Sequence, residues 1–131
     1  MNINSVVSLF NFVTFGDFYN YILDKKWLTP DSSIFTVYNM ISPVHITALA
    51  LPPSYKEIGK NNIQQAVTNL SANNINPQQI IQLTDAINWV GSDNTWDQQK
   101  DLFRSEVERL DTLRGENFRN IFPELQGLLD E

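Results

Sequence analysis

The chain has no cysteine in its 131 residues. That absence removes disulfides, thiol nucleophiles, cysteine-based zinc sites and any thiolate-held iron–sulfur cluster built by this chain itself. Cationic residues are scarce too, nine Lys and Arg against 15 Asp and Glu, for a formal net charge of −6 and a pI near 4.6. Such a surface repels a phosphate backbone, and no basic cluster offsets it, so nucleic acid is not an expected partner. Histidine occurs once, at His45, and a Ser-His-Asp arrangement would have to run through it. One His and no Cys leave carboxylates as the only other metal ligands, and none cluster. The glycines form no GxGxxG or Walker pattern, which removes phosphate-loop chemistry. The apolar run Val6 to Phe15 has no basic stretch ahead of it and is too short to span a membrane. The expectation is a soluble, cytoplasmic protein with no membrane partner.

What is present is enough apolar residue, 42%, for one core and too short a chain for two ordinary domains. Val6 to Val13 is a β-branched and aromatic run with apolar residues on both faces, the pattern of a strand covered on both sides. Asp17 is placed to cap a helix through Phe18, Tyr21 and Ile22 toward Trp27. A second strand is expected at Ile34 to Tyr38 and a third at Val44 to Leu51, ended by Pro52-Pro53. The chain should turn there into a helix carrying Tyr55, Ile58, Ile63, Val67 and Leu70. Residues 1–74 thus read as a piece of an α/β sheet.

Residues 75–131 show no strand signal and read as a helical tail, the boundary falling in the Asn-rich loop near Ser71 to Asn76. Asn76-Pro77-Gln78-Gln79 is a helix start, with a cap, a proline at the first position and a Gln three residues on. Ile80, Leu83, Ala86, Ile87 and Val90 form its apolar face, and Gly91 stops it. Thr95 with Gln98 repeats the capping pattern ahead of Leu102, Phe103, Val107, Leu110 and Leu113, and Gly115 is the next stop. Asp111 with Arg114, and Glu116 with Arg119, have the spacing of helix-surface ion pairs.

Two side chains invite a chemical reading. Asn11 is the polar group in the middle of an apolar strand, so its amide either meets a substrate or cofactor or is satisfied by nearby backbone or water. His45 on the third expected strand has no identifiable partner, and a hydrolase built on it is the weakest of the readings considered.

Three blocks of the chain, in order, resemble the C-terminal part of radical S-adenosylmethionine (SAM) proteins with a twitch-type C-terminal region. The first is Val7-Ser8-Leu9-Phe10-Asn11-Phe12 with the helix toward Trp27. The second is Val44 to Leu51 ending in Pro52 and a Tyr-Lys-Glu helix. The third and most specific is Asn88-Trp89-Val90-Gly91-Ser92-Asp93 leading to Leu110-Asp111-Thr112-Leu113-Arg114-Gly115-Glu116-Asn117-Phe118 and Phe122-Pro123-Glu124-Leu125. The resemblance implies a three-strand remnant of a partial barrel over 1–74, followed by helices packed over it. The family's C-x-x-x-C-x-x-C loop, which holds a 4Fe-4S cluster and through it S-adenosylmethionine, would lie upstream of Val6 and is missing here. The implied protein is therefore the C-terminal portion of a radical SAM enzyme, not catalytic alone, holding no cofactor by itself. Asn11 and Leu51 are the positions the resemblance assigns to the adenosyl part of the cofactor. Unpaired strand edges then call for a second chain, either a cysteine-bearing N-terminal half or a second copy. The alternative is a small interaction module that offers an apolar groove over residues 96–125 to a partner helix, drawing on Trp96, Phe118 and Phe122.

Overall fold

The computed structural model describes residues 4–130. Strand β1 covers Asn4–Val7, and its alternation buries Ser5 and Val7 while Asn4 and Val6 face out. It stops well short of Val13 because side chains take over the backbone. The Ser8 N–H donates to Asn11 Oδ1 (2.8 Å), the Phe10 N–H to Ser8 Oγ (3.2 Å), and the Phe12 N–H to the Ser8 carbonyl (3.1 Å). Ser and Asn compete with the sheet ladder in this way wherever a local turn is open to them. Phe12–Thr14 is a 3-10 turn, and helix α1, Phe15–Asp24, follows. Its cap comes from afar, not from Asp17. Asn62 accepts from the Gly16 N–H (2.6 Å) and donates to Asp17 Oδ1 (2.8 Å).

Strand β2, Thr36–Asn39, pairs parallel with β1, Asn4 opposite Thr36 and Val7 opposite Asn39, with α1 as the crossover that parallel strands require. Among the described residues the sheet has these two strands and no third. The expected strand Val44–Leu51 is instead a pair of 3-10 turns, Val44–Ile46 and Ala48–Ala50. Prolines bracket it, and apart from one bond to the β1 turn and one from the Thr95 N–H to the Leu49 carbonyl (3.2 Å) its hydrogen bonds are local. Thr47 Oγ1 donates to the Val44 carbonyl (3.1 Å) and the Ala50 N–H to the Thr47 carbonyl (3.0 Å). One bond links it to the β1 turn, from the Leu9 N–H to the Ile46 carbonyl (2.8 Å). A short apolar run buried on several sides looks the same in sequence whether it is strand or plug.

Four helices complete the chain: α2 (Pro53–Ala72), α3 (Pro77–Val90), α4 (Trp96–Arg114) and α5 (Phe118–Ile121), then a 3-10 segment Pro123–Leu129. None of the described helices is long and apolar enough to cross a membrane. The starts of α2 and α3 and the stop of α4 lie where proline, Asn76 and Gly115 put them. Asn76 Oδ1 accepts from the Gln78 N–H (2.9 Å), whereas Thr95 caps α4 only through its backbone carbonyl. The protein is thus a mixed α/β fold with a helical C-terminal region. Its core is one cluster, running from Val7, Tyr19 and Ile63 through Leu83 to Phe103, Phe118 and Leu128, on both sides of residue 75.

Two glycines carry constraints that differ in kind. A Cβ at Gly59 would overlap the Phe12 ring, so this position on α2 is the seat of the β1 turn. Gly115 has φ +63° with nothing within 4 Å of a Cβ, so only backbone conformation is at stake. Gly59→Ala is expected to destabilise by about 1–3 kcal/mol through overpacking, and Gly115→Val by about 1–2 kcal/mol through left-handed strain. Urea unfolding of the two variants checks both, and a neutral Gly59→Ala would show that the Phe12 ring can move aside.

Candidate functional site

Side-chain amides stand where neighbouring strands would be. Along the outer edge of β2, the Phe35 N–H donates to Gln79 Oε1 (2.7 Å), Gln79 Nε2 donates back to the Phe35 carbonyl (2.9 Å), and the Val37 N–H donates to Gln82 Oε1 (2.7 Å). Gln79 is fully buried and also donates to Tyr19 Oη (3.5 Å), which shares a hydrogen bond with Ser5 Oγ (3.0 Å). This chain of contacts ties α3 to α1 and to both strands. Burial pushes the Tyr19 hydroxyl above its ordinary pKa, opposed by its hydrogen bonds to Ser5 and Gln79.

The outer edge of β1 is met only in part. Asn11 Nδ2 donates to the Val6 carbonyl (2.7 Å) while its Oδ1 accepts from Ser8, so the amide imitates one peptide unit of an adjacent strand. Since Val7 gives its carbonyl to Met40 on the β2 side, the backbone groups of Asn4 and Val6 point the other way. No described residue accepts from the Val6 N–H. This stretch opens on a concavity of about 340 Å³ lined by Asn4, Val6, Asn11, Thr14, Phe15 and Phe18. Val6 is 44% exposed and Phe18 38%.

A second concavity, of about 310 Å³, lies between α4 and α5 and is lined by Phe10, Val107, Leu110, Phe118, Ile121 and Phe122, with Asp111, Arg114 and Glu116 at its polar side. Its walls include aromatic contacts, Phe10 to Phe122 and Phe118 to Phe122 both at 5.3 Å between ring centroids. Leu110, expected in the core, is half-buried here, and Leu113 is 69% exposed. The expected ion pairs are replaced by other bonds: Asp111 Oδ2 accepts from the Phe118 N–H (3.1 Å), capping α5, and Arg119 pairs with Asp130 (2.8 Å).

Of the residues singled out from sequence, Asn11 lies at the carboxyl end of β1 with both polar atoms on backbone. Leu51 is fully buried at the entry to α2 and lines neither concavity. His45 sits half-buried on a 3-10 turn near Glu106, whose carboxyl is held below its usual range first by its hydrogen bond from Arg109 and only weakly by His45. No group of three or more metal-ligating side chains occurs among the described residues. Gln79 and Gln82 were missed by sequence reasoning. Gln79 was legible only as the third position of a helix start, and nothing in the spacing says that its side chain turns toward a strand.

Comparison with known proteins places the chain in no group: no family model, no curated protein and no solved structure matches it.

Gln79→Leu would leave the Phe35 N–H and carbonyl buried without partners, at about 1–3 kcal/mol per group, and is expected to lower unfolding free energy by about 2–5 kcal/mol. A loss under about 1 kcal/mol would mean that water replaces the amide. Because the folded state raises the Tyr19 pKa, the folded chain holds that proton more tightly than the unfolded one. The stabilisation is complete below the unfolded value near 10 and declines as pH rises beyond it. Denaturant melts across the alkaline range should show this slope, and Tyr19→Phe should flatten it.

Proposed function

We propose that this chain is the C-terminal portion of a radical SAM-type protein, without catalysis of its own, that works with a cysteine-bearing second chain. The observation that carries the reading is an asymmetry of the parallel β1-α1-β2 unit. On its β2 side Gln79 and Gln82 of α3 meet the Phe35 N–H and carbonyl and the Val37 N–H, while on its β1 side no described residue accepts from the Val6 N–H. A parallel sheet that keeps an outward amide on its first strand has a place where the N-terminal strands of such a protein would add. In that assembly the two parallel strands belong to a partial barrel, and the helices from α3 onward cover it. The ordered L-D-x-x-R-G-E-N-F and F-P-E-L blocks support the same reading, since Phe118 and Phe122 pack on Phe10 of the β1 turn.

The residues present do not suit an iron–sulfur cluster, having no thiolate and no clustered ligands among those described. The cluster and S-adenosylmethionine would be held by the partner. Asn11 and Leu51 are the positions assigned to the adenosyl group; Asn11 reaches it by exchanging a backbone contact, Leu51 only if the entry to α2 opens.

A second reading, a module that binds an amphipathic partner helix between α4 and α5, is favoured by the apolar concavity and by the exposure of Leu113 and Ile121. Anaerobic reconstitution with iron and sulfide tests the first. The isolated chain is expected to stay colourless, and a stable brown cluster on it would overturn the proposal.

A further inference from the structure

We propose that Lys56 is a nucleophilic amine and that the recess it lines takes a small aldehyde with an apolar body, which the amine binds as an imine. This goes beyond the radical SAM reading and needs no second chain.

The first turns of α2 meet the end of α3 and the loop after it around a concavity of about 460 Å³. Phe12, Ile87 and Val90 supply its apolar lining, and Lys56 and Lys60, neighbours at i, i+4 on α2, line it from the other helix. Lys56 is half-buried, and its Nζ donates to the Asp93 carbonyl of the loop. A neutral carbonyl fixes where the amine sits without neutralising its charge. No described carboxylate lies within ion-pair distance of it, whereas Lys100 has Asp97 at 3.9 Å. The other charged groups of the recess are Glu57 and Lys60 on α2 and the Asp93 carboxylate on the loop. Burial pushes the Lys56 ammonium below its ordinary range, and the Asp93 carboxylate opposes that only in part. A partly desolvated lysine at a concavity is placed to act as a nucleophile, because the neutral amine is the reactive form.

In the step itself the Lys56 nitrogen gives its lone pair to the aldehyde carbon, and the C=O π pair moves to oxygen. That oxygen leaves as water with the two amine protons, and a C=N bond remains. Amine and aldehyde thus become imine and water, with no oxidant or reductant. The apolar lining selects the rest of the molecule, since an aliphatic or aromatic body can be buried against Phe12, Ile87 and Val90 without stranding a polar group.

The test treats the full chain near neutral pH with benzaldehyde and cyanoborohydride, which reduces an imine to a stable benzylamine, and follows each lysine by peptide mass mapping. Initial rates at Lys56 are expected to saturate with benzaldehyde and to exceed those at Lys60 several-fold, while Lys25, Lys26, Lys60 and Lys100 respond linearly. Lys56→Arg keeps a donor for the Asp93 carbonyl and should remove the saturable component. A lysine that only tethers the loop predicts the reverse order, its half-buried amine reacting more slowly than Lys60. That order, or a linear response at Lys56, would overturn the proposal on the unaltered chain alone, and so would a saturable component that survives Lys56→Arg. Reconstitution with iron and sulfide reads the radical SAM proposal separately, so either can fail without the other.

Discussion

Every backbone N–H and carbonyl that leaves water must be met, and in this protein that requirement falls on a sheet of only two strands. Two strands alone are marginal. The deficit on the β2 side is made up by Gln79, a fully buried amide that both accepts from and donates to Phe35 and extends through Tyr19 to Ser5 on the other strand. The placement of α3 follows from it. Buried amides make directional contacts that apolar packing does not, so Gln79 selects one docking of α3 on the sheet where Leu83 and Ala86 alone would allow several.

The helical region is held to the sheet at a second point, the aromatic cluster around the β1 turn. Phe10 faces Phe103, Phe118 and Phe122 at centroid distances of 6.3, 6.4 and 5.3 Å, and Trp96 meets Phe103 edge-on at 5.8 Å. Arg104 lies over Trp96 and donates to the Leu128 carbonyl (3.0 Å), drawing the C-terminal segment onto α4. The blocks of sequence that look most characteristic are thus the contacts between tail and strand turn. A motif can be specific because it builds an interface, with no side chain left over for chemistry.

These two attachments leave the two edges of the sheet in different surroundings. Helix α3 meets β2 through Gln79 and Gln82, α2 supports the β1 turn through Gly59 and Phe12, and the tail fills in behind Phe10. Nothing among the described residues reaches the Val6 amide.

The amino-acid sequence by itself determined what depends on local chemistry. Pro52-Pro53 and Asn76-Pro77 start helices because they set φ and supply a cap, and Gly115 stops one because it tolerates φ +63°. The missing cysteines set the limit on metal chemistry in the same direct way. Tertiary structure alone decided the rest. Whether Val44–Leu51 became a strand depended on whether another strand lay beside it, and it met Leu9 at a single hydrogen bond instead. Whether Asn11 was free for a ligand depended on the turn at Ser8, which brought its amide back onto Val6. Gln79 and Gln82 were ordinary helix residues until α3 was laid against β2. Periodicity and capping act over a few residues and are written into the chain, whereas the partner of a buried polar group is chosen by elements tens of residues away.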